Sequence, residues 1–244
     1  MQKLRVRAQI LQIKNLTHNL SPPPFIINPG VIMNEKTTRI IQITIFMTVM
    51  AWSLIRPYDI PTWFMEAAPA LAALTVLIFT YRKFRLTEVT YWFILIHCII
   101  LFVGAHYTYA RVPAFDWLKD AFDMSRNNYD KLGHLAQGFI PAMVIREILI
   151  RTSPLRPGKW LFFIVSSIAL AISAFYELIE WWTAVFYGDG STEFLGLQGY
   201  IWDAQSDMFL ALIGSILAQL LFMKIIDKHA CKPAGNAGDY ESWM

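Results

Sequence analysis

The sequence predicts an all-α membrane protein: a six-transmembrane-helix bundle with both termini cytoplasmic. Three observations predict it. Of the 244 residues 56% are hydrophobic and only 16% charged, with a mean hydropathy of +0.41, more apolar and poorer in charge than an ordinary soluble domain. Six apolar runs follow one another, most of them close to the roughly 20 residues that a bilayer-spanning helix needs. Lysine and arginine also gather in alternate loops, the pattern that sets orientation in a membrane.

The runs cover residues 40–56, 62–80, 89–110, 130–150, 160–184 and 203–226. Upstream, residues 1–32 hold Lys3, Arg5, Arg7, Lys14 and the Ser21-Pro22-Pro23-Pro24 stretch. They lack the apolar core and small-residue cleavage site of a signal peptide. They read as a cytosolic extension, with Met33-Asn34-Glu35-Lys36 as the expected native start. The first run is the shortest, set between Arg39 and Arg56-Pro57, where the proline stops the helix. Pro69 and Pro141 fall inside the second and fourth runs, where a membrane helix tolerates them as kinks. The transmembrane domain is expected over 33–228, and the polar tail 229–244 has no apolar face to bury and reads as disordered.

Arg82, Lys83 and Arg85 fill the loop after the second run, and Arg146, Arg151, Arg156 and Lys159 surround the loop after the fourth. Lys224, Lys228 and Lys232 follow the sixth, whereas the loop 187–201 has Asp189 and Glu193 and no basic residue. The basic loops belong on the cytoplasmic side. The net charge of +3 therefore reports orientation and does not imply a nucleic-acid partner. The implied partners are the lipid bilayer and a lipid or envelope-precursor substrate. Cys98 lies in an apolar run and Cys231 in the tail, which gives neither a disulfide framework nor a cysteine metal site. In the loop 111–129, Phe115, Trp117, Leu118, Phe122 and Met124 alternate with Asp116, Lys119, Asp120 and Asp123, as in a helix lying in the interface.

With six spans, the third and fifth helices end on the outer face and the fourth and sixth begin there. The unusual ionisable residues collect at those four ends: His106, then Asp130 and His134, then Glu177 and Glu180, then Asp203 and Asp207. Asp130 and His134, like Asp203 and Asp207, are four apart and share a helix face. Each face continues as a stripe of small residues: Gly138 and Ala142 after His134, Ala211, Gly214 and Ala218 after Asp207, and Ser166, Ala169 and Ser173 before Glu177. Such stripes let membrane helices approach closely. Asp130 and Asp203 could instead serve as helix caps, His97 as an interior histidine bonded to a neighbour, and Trp181, Trp182, Tyr187 and Trp202 as an interfacial belt. The glutamates resist such readings, because they face the negative end of a helix dipole below the surface and need a cation.

Asp130, His134, Glu177 and Asp207 are the expected ligands of one divalent metal, Zn, Mn or Fe, since carboxylate with imidazole suits these ions. Glu180 and Asp203 are the expected catalytic bases, and Arg126, Lys131 and His106 the substrate-binding residues. The reaction expected is hydrolysis of a lipid or envelope precursor. A proton-coupled transporter of a small solute is the alternative, as is a non-catalytic protein whose polar network fixes the helix arrangement. These residues resemble the YjdF-type family of uncharacterised bacterial inner-membrane proteins. More distantly, Asp130-Lys131-x-x-His134, Tyr176-Glu177 and the segment from Asp207 to Gly214 are similar to the VanZ family. Glu180 and Leu210 or Ala211 depart from the Gln and Asn of that pattern. The resemblance implies an inner-membrane location near the cell envelope and no particular reaction.

Overall fold

The structure, a computed structural model, describes residues 34–187 and 200–230. The described part is helical throughout. Six long helices follow in order: α1 (Glu35–Ser53), α2 (Ile60–Thr80), α3 (Glu88–Tyr107), α5 (Tyr129–Thr152), α6 (Lys159–Tyr187) and α7 (Asp203–Ala230). A short helix α4 (Pro113–Ala121) and a 3-10 turn (Tyr109–Arg111) stand between α3 and α5. The chain divides after Arg39. The described part of the first unit is the opening of α1, where the Thr38 N–H donates to the Asn34 carbonyl at 3.0 Å. Everything below concerns the unit from Ile40 onward. The expected extension 1–32, most of the tail and the acidic loop with Asp189 and Glu193 lie outside the described residues.

Sequence features set the helix ends. Asp59 caps α2, its carboxylate accepting from the Thr62 N–H at 2.8 Å, and Pro113 opens α4 in the first turn, where its missing N–H costs nothing. Thr108 ends α3 at φ 59°, a conformation a β-branched residue rarely holds. That turn drops the Tyr109 ring into a slot between Gly104 and Gly133, where a Cβ on either glycine would strike the ring.

Two apolar cores form. Phe46, Trp63, Ala67, Leu95 and Phe102 bring α1, α2 and α3 together, and Met143, Leu161, Val165, Ala218 and Ile226 do the same for α5, α6 and α7. The tightest pair is α5 with α7: a Cβ at Gly138 would overlap the Ala211 carbonyl, and one at Gly214 the Leu135 carbonyl. The small-residue stripes of these helices thus meet backbone to backbone, and Ser166, Ala169 and Ser173 of α6 are buried as well.

Hydrogen bonds sort the turns to two ends. At one end the Tyr58 N–H donates to the His106 carbonyl (2.9 Å) and Trp63 Nε1 to Ser53 Oγ (3.1 Å). At the other, the Thr87 N–H donates to the Glu147 carboxylate (2.9 and 3.0 Å) and Arg151 to the Arg85 carbonyl. Four helices, α2, α3, α6 and α7, are long and apolar enough to cross a membrane. The other two are not apolar enough along their length: α1 opens with Glu35, Lys36 and Arg39, and α5 carries Asp130, Lys131, Arg146, Glu147 and Arg151. Arg146, which the sequence places in the fourth run just before a basic loop, is buried. It is 2% exposed inside α5, donates to both oxygens of Asp227 (2.7 and 2.8 Å), and reaches Gln219 Oε1 at 3.0 Å.

Candidate functional site

The ionisable residues meet where α5, α6 and α7 converge at the end that also holds Ser53, Tyr58 and His106. Asp130 and His134 project from the first turns of α5, Asp203 and Asp207 from those of α7, and Glu177 and Glu180 from α6. His134, 5% exposed, is central. Its Nε2 lies 3.3 Å from Asp130 Oδ1, 3.7 Å from Glu177 Oε1 and 3.9 Å from Asp207 Oδ2. Two overlapping sets, Asp130–His134–Asp207 and His134–Glu177–Glu180, each bring one ligand atom per residue within 4.8 Å of the others. His134 Nδ1 and Glu177 Oε1 are buried with no hydrogen-bond partner.

Beside this group stands an ion-pair knot. Lys131 Nζ donates to Asp203 Oδ1 (2.5 Å), Asp207 Oδ1 (2.6 Å) and Ser206 Oγ (2.7 Å). An ammonium has three donors, and all three are used. Arg126 donates to Asp203 Oδ1 at 2.6 Å and approaches Asp130 Oδ2 at 3.4 Å. Asp203 is thereby held between two cations. Neither Asp203 nor Asp130 takes a helix N–H among the described residues, so the capping alternative is not what their carboxylates do.

Three expectations need correction. His106 lies outside the cluster: its Nδ1 is 3.1 Å from the Ser53 carbonyl and its ring is 4.5 Å from Trp52, which ties α3 to the end of α1. Lys131, expected to grip substrate, has its three donors taken by Asp203, Asp207 and Ser206 of α7. His97 makes no hydrogen bond among the described residues and lines a cavity instead. The loop 111–129 contains the expected amphipathic helix as α4, with Trp117 68% and Phe122 71% exposed. Asn127 donates to the Val112 carbonyl and to Asp116, both at 3.0 Å, and holds α4 to the start of α5.

Glu66 is the site residue the sequence reading missed. It sits in α2, 1% exposed, and lines the same cavity as Asp130, His134, Tyr176 and Glu180. Neither of its oxygens accepts a hydrogen bond of good geometry, the backbone of Tyr109 being the polar group that faces it. The signal was present: Glu66 is the one carboxylate in the run 62–80, and an ionisable residue inside a span is functional by default. The Tyr109 phenol, desolvated in its glycine slot and near Tyr176 and Glu66, is pushed well above its ordinary range.

Fold and cluster together define an all-helical integral membrane protein with a buried, carboxylate-rich ionic centre near one end. Residues 38–228 match the family described as "Predicted membrane protein (DUF2238)", and the chain belongs to that family. It is 48% identical over 168 residues to the "Inner membrane protein YjdF" of Escherichia coli (strain K12), an alignment that covers 69% of this chain and 80% of the relative. No solved structure matches the chain.

Proposed function

We propose that the chain is an inner-membrane hydrolase. In this reading Asp130, His134, Glu177 and Asp207 hold one divalent metal at the periplasmic face, and the enzyme acts on an ester or phosphoester of a lipid or envelope precursor. The observation that carries it is the crowding of three carboxylate oxygens, from three helices, within 3.3–3.9 Å of His134 Nε2. Metal bonds of about 2.0–2.2 Å to imidazole and carboxylate place neighbouring ligand atoms about 3.4 Å apart in a tetrahedron, close to these separations. The mixed donor set suits Zn, Mn or Fe.

A metal so held would supply Lewis acidity to a phosphoryl or carbonyl oxygen. Glu180, within ligand distance of His134 and Glu177, is the general base. It takes a proton from the attacking water as the water oxygen bonds to phosphorus or carbonyl carbon, and returns it to the oxygen that leaves. Asp203 serves as a positioning residue for Arg126 and Lys131, which offset the charge of the carboxylates around the site.

The topology that goes with this reading has six spans and both termini in the cytoplasm. It rests on the lysine and arginine bias of the loops and on α1 and α5 running between the same two ends as the four apolar helices. The relative's name supports the inner membrane as the location, and the VanZ-like pattern at Asp130, His134, Tyr176 and Glu177 is an extended likeness of the same kind.

Elemental analysis of purified protein tests the reading. One near-stoichiometric transition metal in the wild type, absent from His134→Ala and Glu177→Gln, is expected; a folded wild type with none contradicts it. Proton-coupled transport through the carboxylate-rich centre around His134 is the second reading. Flux in reconstituted vesicles that disappears in Glu177→Gln would put it first.

A further inference from the structure

Below the ionic centre a cavity of about 460 Å³ runs between α2, α3, α5 and α6, within the range of roughly 300–1,000 Å³ typical of small-molecule sites. Its two ends differ in chemistry. The upper end holds Glu66, Asp130, His134, Tyr176 and Glu180; the lower end is walled by Val76, Leu77, Leu86, Val144 and Ile145. From Glu66 to Leu77 is eleven residues of α2, about 16 Å at 1.5 Å per residue. That is about half of a hydrocarbon core roughly 30 Å thick, the depth of one leaflet.

The cavity also has a side door. α2 packs on α3, and α6 packs on α5 and α7, but α2 and α6 share no extended interface. Val76 of α2 and Ile172 of α6 line the cavity while 59% and 40% exposed, so the gap between the two helices faces the bilayer interior. A chain could enter sideways with its head already at the depth of the ionic centre. At that depth the two oxygens of Glu66 are buried and accept no hydrogen bond of good geometry, the Tyr109 backbone being the polar group that faces them, an arrangement costly to leave unmet. A hydroxyl or amine would satisfy them.

We infer that this cavity binds one hydrocarbon chain of a lipid, entered between α2 and α6, with a hydroxyl- or amine-bearing head donating to Glu66 beside His134. This names the substrate class of the hydrolase reading and rests on that reading for its chemistry, though chain binding itself requires no metal.

The test is photolabelling of the full-length protein in nanodiscs with a monoacylglycerol carrying a diazirine in mid-chain, followed by peptide mass spectrometry. Labels are expected on the α2 segment around Val76 and Leu77 and on the α5 segment around Val144 and Ile145, displaced by unlabelled monoacylglycerol. Ala73→Phe and, independently, Val144→Phe fill the cavity away from the ionic centre and should cut labelling at least tenfold while bound metal stays at its wild-type level. Glu66→Leu should weaken competition by the hydroxyl-headed lipid more than competition by a plain alkane of equal length. Equal labelling in the wild type and whichever cavity-filling variant folds, or labels confined to outward residues such as Ile78 and Phe79, would overturn the inference. Displaceable labelling retained in metal-free Glu177→Gln supports the cavity even where the wild type binds no metal, in which case the hydrolase reading alone fails.

Discussion

The two ends of the helix bundle hold buried charge in opposite ways. At the Arg146 end the charges match: Arg146 faces Asp227 and Gln219, Glu147 accepts from the Thr87 backbone, Thr90 and Arg151, and Gln219 passes on to Ser166 at 2.9 Å. No atom of that network lacks a partner. At the His134 end, among the described residues, Glu66, Asp130, Glu177, Glu180, Asp203 and Asp207 face only Arg126, Lys131 and His134 as side-chain cations. Glu66, His134 and Glu177 there keep buried polar atoms unpartnered. A satisfied network rigidifies a fold, whereas an unsatisfied one in low dielectric is costly and persists where function requires it. On the proposed function, the matched end serves the fold and the mismatched end is where a cation or substrate belongs.

Substitution should separate the two. The largest effect is expected for Arg146→Leu, which strands Asp227 in the bundle and should cost about 3–5 kcal/mol of stability, read by SDS titration in mixed micelles. The double variant Arg146→Leu/Asp227→Leu should recover most of that loss, as replaced ion pairs often do. A single variant as stable as the wild type would break the comparison at its structural end. Gly214→Val comes next. Its side chain would collide with the Leu135 carbonyl, and overpacking of this kind costs about 1–3 kcal/mol; if α5 and α7 tolerate it without loss, the backbone contact is not limiting.

Glu177→Gln and Glu180→Gln should do the reverse. Removing one carboxylate from an excess relieves repulsion, so stability should stay within about 1 kcal/mol of wild type or rise, while metal binding is lost or sharply reduced in the first and hydrolysis lost in the second. Smallest of all, Trp117→Ala on the exposed face of α4 should change stability by less than about 0.5 kcal/mol. Metal affinity in the wild type should fall as pH is lowered, because each ligand must give up its proton to bind.

Much of this was legible in the sequence. The helices and the grouping of Asp130, His134, Glu177 and Asp207 followed from run length and from four-residue spacing at helix ends, signals local enough to read without coordinates. What the sequence hid was pairing at long range. The burial of Arg146, read only as one of the basic residues around a loop, was hidden because its partner Asp227 stands 81 residues away, and a buried pair leaves no local trace. Lys131 read as a substrate ligand because nothing nearby in sequence shows that Asp203 and Asp207 will occupy its donors. Glu66 was passed over because it stands alone in its run with no spaced partner; the site reaches it through space, across α3 and α5. His106 was grouped with the others by its position at a helix end, which fixes depth and not the direction the ring takes.

The central claim is that the mismatched charge at His134 exists to hold a metal. X-ray absorption at the metal edge of the purified, membrane-extracted protein tests it most directly. The account predicts a first shell of one imidazole nitrogen with carboxylate oxygens at about 2.0–2.2 Å, with the imidazole signature gone in His134→Ala. A shell of oxygen alone, or a spectrum unchanged by His134→Ala, would place any bound metal elsewhere and contradict the account.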